Sequence, residues 1–324
     1  MKRRPLLLAP AAWPAARLAH AQPGVRRVAV LSSGGASAQQ AEMAAYFRDR
    51  LQQAGWELGR NLMAEVRYAE GDLVRAQVLA QQLVAAGPDL LIGFGNDAIA
   101  ALQRATRRIP IVMGFGHEPV AAGFVRSLAR PDSNTTGTVW VAAEFAGKTL
   151  QLLQQAVPRA RRVAALGPAE QPGLEPYQRE LLAAARLLEI TLLPHAVSRP
   201  DDIPAALQRI AAQAPDALYV AADGATEMRV GELAAFALRQ RLPTLGLSYS
   251  LVRAGGLLYY GAEVREVLAR TASFVDRILR GADPAVLPVE QPSRFTLTVN
   301  ARTARAIGLA LPAEILLRAD EVIG

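Results

Sequence analysis

The chain contains one unit twice. RRVAVL at 26–31 recurs as RRVAAL at 161–166, GPDLLIGFG at 87–95 as APDALYVAA at 214–222, and RRIPIVMG at 107–114 as QRLPTLGL at 240–247. The offsets are 135, 127 and 133 residues, so three segments return in the same order at nearly one spacing. A repeat of this length is a duplicated lobe, not a solenoid, whose units are 20–50 residues long. At 324 residues the chain also exceeds the usual size of one core.

Each copy alternates short apolar runs with amphipathic stretches. In the first, the pattern predicts strands at 27–32, 62–68, 89–94 and 110–114 with helices at 37–54, 72–86 and 97–107. In the second, strands fall at 162–167, 190–194, 216–221 and 243–247, and helices at 173–188, 201–213 and 225–240. Strands apolar on both faces and separated by helical stretches imply parallel sheets covered on both sides. Asp89 and Asp216 each follow a proline just before a third strand, the place of a turn former. The fold class expected is α/β, with two Rossmann-like lobes joined by a hinge that the chain crosses several times. The first lobe takes residues 25–140 plus about 262–288, and the second takes 141–261 plus about 289–324. The expected crossings follow the strand TGTVW at 136–140, follow LLYYG at 257–261, and precede a strand at 294–299. Hinged lobes suit the capture of a ligand.

Residues 1–21 read as a cleaved signal peptide. Lys2, Arg3 and Arg4 form a cationic start, an apolar run follows, and Ala19-His20-Ala21 is a cleavage pattern ahead of Gln22. The apolar run is too short to span a bilayer. These residues hold four cations and no acid, so the remainder carries +3 of the chain's +7. No basic stripe with interleaved aromatics appears, and no nucleic-acid partner is expected. Cysteine is absent, which excludes disulfides, a thiol nucleophile and a lipidated cysteine. The expected product is a soluble, monomeric periplasmic protein.

In parallel α/β sheets, ligands sit beyond the carboxyl ends of the strands. The repeat places those ends at Ser32-Ser33, Gly95-Asn96-Asp97 and His117-Glu118 in the first lobe. In the second they are Gly167-Pro168-Ala169-Glu170, Ala222-Asp223-Gly224 and Ser248-Tyr249-Ser250. Ser32, Ser33, Asn96 and Asp97 either cap the following helices or offer polar groups to a ligand. His117 is either a surface group or a ligand contact. Asp223 either caps a helix or holds an ammonium or hydroxyl, and Tyr249 is placed to cover an apolar side chain. Expected ligand contacts are therefore Ser32, Ser33, Gly95, Asn96, Asp97, His117, Glu118, Asp223 and Tyr249. No second histidine or nearby acid completes a metal set around His117 and Glu118. G-x-S-x-G, Walker, H-E-x-x-H and G-x-G-x-x-G patterns are all missing. A hydrolase written on Ser33, His117 and Asp223 would draw on opposite lobes with no specific spacing. No catalysis and no cofactor are expected.

Several runs carry a family resemblance: VAVLSSGG at 28–35, SLARPDSNTTG at 127–137, AGGLLYYG at 254–261, and the ending from Leu287 to Ile323. In these, nearly the whole chain beyond the leader resembles the ABC-transporter substrate-binding proteins of the TrpX-like group. The resemblance implies a type I periplasmic-binding fold, a hinge of three crossings, and a receptor that hands a small molecule to an ABC permease in the inner membrane. Some relatives bind aromatic amino acids, and Asp223 matches an acid that would hold an amino acid's ammonium. The chain departs from the family pattern at Gly167-Pro168-Ala169, at His117-Glu118-Pro119-Val120 and at Ser250. A sensor docking on a membrane receptor remains the alternative to transport, and a cleft enzyme the remoter one.

Overall fold

The structure is a computed structural model, described over residues 24–141, 143 and 145–324. The expected signal peptide and its cleavage point before Gln22 lie outside the described residues.

The first sheet consists of β1 (Arg26–Ser32), β2 (Leu62–Tyr68), β3 (Leu90–Phe94), β4 (Ile111–His117) and β5 (Thr135–Val141). Its order is β2-β1-β3-β4-β5, with every pair parallel. Helices α1 (Ala38–Gln53), α2 (Leu73–Ala85) and α3 (Asn96–Ala105) connect these strands. The second lobe begins with α4 (Phe145–Ala156), β6 (Arg162–Pro168), α5 (Leu174–Leu187), β7 (Thr191–Val197), α6 (Ile203–Gln213) and β8 (Ala217–Val220). It continues with α7 (Gly224–Met228), α8 (Val230–Arg239), β9 (Thr244–Gly246), α9 (Tyr249–Arg253) and β10 (Leu258–Ala262). After α10 (Val264–Leu279) come β11 (Phe295–Asn300), α11 (Ala301–Ala306), α12 (Ala313–Arg318) and β12 (Glu321–Ile323).

The second sheet runs β12-β11-β10-β9-β8-β6-β7. Read from β7, its first five strands repeat the 2-1-3-4-5 order of the first sheet, so the duplication in sequence is a duplication in topology. β11 then adds antiparallel to β10, and β12 parallel to β11. The two acids before the third strands have matching jobs. Asp89 accepts the Arg27 N–H at 2.8 Å, and Asp216 accepts those of Arg161 and Arg162 at 2.9 and 2.8 Å. Each carboxylate thereby fixes the start of its lobe's first strand against its third.

Burial on both faces explains the unbroken apolar strands. In β1, Val28 and Val30 pack with Phe274, Val275 and Ile278 of α10, while Ala29 and Leu31 pack with Ala76, Ala80 and Leu102 of α2 and α3. In β6, Val163 and Ala164 divide between two clusters in the same way. Pro194 lies within β7, which a proline tolerates because β7 is an edge strand. The helix expected over 225–240 is in fact α7 and α8, broken at Arg229, whose φ −123° and ψ 19° leave the helical range.

The chain passes between the sheets after β5, after β10 and before β11. α10 packs on α1, β4 and β5 of the first lobe. The segment beyond it stays there through Glu290, which pairs with β5 beside Thr138. The carboxyl ends of the two sheets meet across the resulting cleft.

Candidate functional site

The cleft between the strand ends leaves a cavity of about 120 Å³, smaller than the ~300–1,000 Å³ typical of small-molecule sites. From the first lobe it is lined by Ser32 and Ser33 after β1, Gly95 and Asn96 at the β3–α3 junction, and His117 ending β4. From the second it takes Asp223 after β8 and Tyr249 after β9. Asp97 and Glu118 are not in its lining. Of the loop Gly167-Pro168-Ala169-Glu170 none faces this cleft; Gly167 and Pro168 border an apolar cavity beside α5 instead.

Several of these side chains are already engaged. Ser33 Oγ accepts the Ala98 N–H at 3.1 Å, satisfying one of the donors left free at the start of α3. The Asn96 amide is used at both ends: Oδ1 accepts the His117 N–H at 2.8 Å, while Nδ2 donates to the carbonyls of His117 at 2.8 Å and Pro172 at 2.6 Å. Pro172 belongs to the second lobe, so Asn96 ties the lobes together across the cleft. Glu118, at φ 44°, turns to the backbone N–H of Ala143 near the first crossing. Its acid is a hinge fastening in this conformation, which is why it does not reach the cleft. Asp97 sits behind the wall, where burial lifts its carboxyl to about 6 against the pull of Arg104.

Asp223 divides its two oxygens. Oδ1 caps α7, accepting the Thr226 N–H at 2.9 Å, and the Asp223 N–H donates to Thr226 Oγ1 at 3.2 Å in return. Oδ2 is buried with no hydrogen-bond partner. Burial pushes this carboxyl up to about 7; the Thr226 N–H and, more weakly, the Ala225 N–H oppose the rise, and the charges of Asp97 and Glu227 add to it. Glu227, also in the lining, is raised by burial while the Ser248 and Ser250 hydroxyls steady its charged form. Burial depresses His117 to about 4, so its imidazole is neutral at ordinary pH. The Tyr249 hydroxyl donates to Glu321 at 3.0 Å, and its ring stands edge-on to Tyr259 with centroids 5.5 Å apart.

The sequence reading missed the aromatic part of the wall. Phe94, Phe115 and Trp140 line the cleft with Met43 and Leu247. Phe115 lies 5.3 Å from Phe94 and 4.8 Å from Trp140, centroid to centroid. Its φ of 55° falls where the register of β4 against β5 slips, and such an irregularity re-aims a side chain. Trp140 ends a strand of the first lobe, and that position was the available signal for it. Chemically, the cleft joins an apolar aromatic face to an unpaired buried carboxylate. Ser33, His117 and Asp223 share it, yet no hydrogen bond links their side chains among the described residues.

Comparison with known proteins agrees with this architecture. A tyrosine-binding protein of Clostridioides difficile (strain R20291) is 22% identical over 264 residues, covering 81% of this chain and 75% of that protein. A conserved domain protein of Vibrio cholerae O1 biovar El Tor superposes with a TM-score of 0.86 at 26% identity, covering 92% of this chain and 99% of the other. An ABC domain from Streptococcus pneumonia in complex with L-Trp gives 0.84 at 23% identity with the same coverage. These neighbours share the two-lobed type I periplasmic-binding fold. The family model for ABC transporter substrate binding proteins matches residues 21–323, and the chain belongs to that family.

Proposed function

We propose that this protein captures an aromatic α-amino acid outside the cytoplasm, as a monomer, and delivers it to an ABC permease. The observation that carries the reading is Asp223 Oδ2, a buried carboxylate oxygen without a partner beside an aromatic wall. A buried acceptor left unsatisfied is costly, and an ammonium supplied by the ligand removes the cost. The Ser32 and Ser33 hydroxyls and the start of α3 favour the ligand's carboxylate. Phe94, Phe115 and Trp140 receive its ring. The tyrosine-binding and L-Trp-bound relatives support the same ligand class.

The test is a thermal-shift screen of the ligand-stripped protein, beginning at Gln22, against amino acids and small carboxylates. A ligand at a hundred times its Kd stabilises the native state by about 2.7 kcal/mol, so tryptophan, tyrosine or phenylalanine should raise Tm by several degrees. The reading fails if no amino acid shifts Tm at millimolar concentration. Retention of the leader in the exported protein would count against the extracytoplasmic role.

A further inference from the structure

The cavity of about 120 Å³ in the cleft falls below the ~300 Å³ at which small-molecule sites begin. Two further cavities adjoin it, and they differ in chemistry. One, of about 260 Å³, lies between α1 and the strands β1 and β2, under Phe47 and Leu51 and over Val28, Leu62 and Ala64. The other, of about 290 Å³, lies between α1 and the start of α10, where Glu42, Glu263, Arg265 and Glu321 line it. Met43 borders the cleft and both neighbours. The apolar chamber under α1 also shares Phe94 and Phe115 with the cleft, so it begins where the aromatic wall ends.

The members of this shared wall differ in freedom. Phe94 lies so close to the backbone of Gly114 that a Cβ there would overlap its ring, and Phe115 packs edge-on against Trp140. Met43 is a half-buried, unbranched thioether on a helix of 16 residues that buries only Leu51. A side chain of that kind adapts its shape readily. Turning it aside joins the cleft to the chamber under α1, and the joined space exceeds the lower bound for a small-molecule site. An apolar ring belongs on that side, because on the other it would strip water from three carboxylates and a guanidinium.

We propose that Met43 is a specificity-determining residue: it swings to pass the ligand's side chain into the chamber under α1, so the site takes amino acids whose apolar side chains are longer than a single ring. The inference rests on the amino-acid reading above and leaves the ammonium and carboxylate where that reading puts them.

Calorimetric titration of the ligand-stripped protein with phenylalanine and 4-phenylphenylalanine tests it, with melting curves of the ligand-free variants checking their folding. The wild type should bind the longer ligand at least as tightly as phenylalanine. Ala64→Phe puts a ring into the chamber from β2, at a position outside the cleft lining and in a strand that accepts aromatic residues. It should weaken 4-phenylphenylalanine about tenfold more than phenylalanine. Met43→Ala removes the partition and should shift the preference the other way, towards the longer ligand, also by about tenfold. Weaker binding of the longer ligand by the wild type, or either variant changing both affinities by the same factor, overturns the inference and leaves the amino-acid function standing. Binding of neither ligand to any of the three proteins ends both readings.

Discussion

Asp223→Asn isolates the electrostatic cost of closing the lobes without ligand. Asparagine is as good an N-cap as aspartate, so the bond to the Thr226 N–H and hence α7 should persist. What changes is the second oxygen, buried and unpartnered in the closed cleft. Opening the hinge returns the carboxyl to water and towards its ordinary value of 3.8, whereas the closed cleft holds it at about 7. Closing around the ionised group at pH 8 thus costs about 4 kcal/mol, roughly a thousandfold in the closed-to-open ratio. The closed state binds the proton more tightly, so closure is favoured as pH falls from about 7 towards 3.8. At pH 5 the penalty shrinks to under about 2 kcal/mol. Small-angle scattering of the ligand-free protein reads this out. The wild type should have the larger radius of gyration at pH 8 and contract at pH 5, while Asp223→Asn should be compact at both. Equal radii for wild type and variant at pH 8 would refute the reasoning, because the carboxylate would then not oppose closure.

Other perturbations address closure, the aromatic wall and the acid separately. At Gly224 an added Cβ would meet Ser33 O at 2.6 Å and Gly71 Cα at 3.1 Å, both backbone of the opposite lobe. Gly224→Val should therefore block closure and weaken calorimetric affinity by about tenfold or more, while the melting temperature of the ligand-free protein holds. Trp140→Leu removes the ring beside Phe115; an aromatic pair is worth about 0.5–1.5 kcal/mol, so affinity for an aromatic ligand should fall roughly three- to tenfold and that for an aliphatic one less. Ligand affinity should rise from pH 6 to pH 8, because a proton on Asp223 at about 7 competes with the ammonium. A flat calorimetric profile over that range would take Asp223 out of the site.

The parts legible in the sequence were those set by local pattern and by repetition. The offset between RRVAVL and RRVAAL carried over into two sheets with the same strand order, and Asp89 and Asp216 into matching strand clamps. The strand ends followed, and with them Ser32, Ser33, Gly95, Asn96, His117, Asp223 and Tyr249 in one cleft. What local pattern could not supply was the partner of each side chain. Phe94, Phe115 and Trp140 look like core residues along the chain, and only the slip of β4 against β5 turns Phe115 toward the cleft. Asn96 and Glu118 are polar loop residues of the kind that touches ligands, but their bonds to Pro172 and Ala143 are made only when the two lobes have met. For Asp223 the sequence left two roles open, helix cap or ligand acid, as though one excluded the other. A carboxylate has two oxygens, and here Oδ1 does the capping while Oδ2 is left over. The cap holds the side chain in place, so the free oxygen is fixed in direction within the cleft wall. The structural role of Asp223 is thus what orients it for the role in binding.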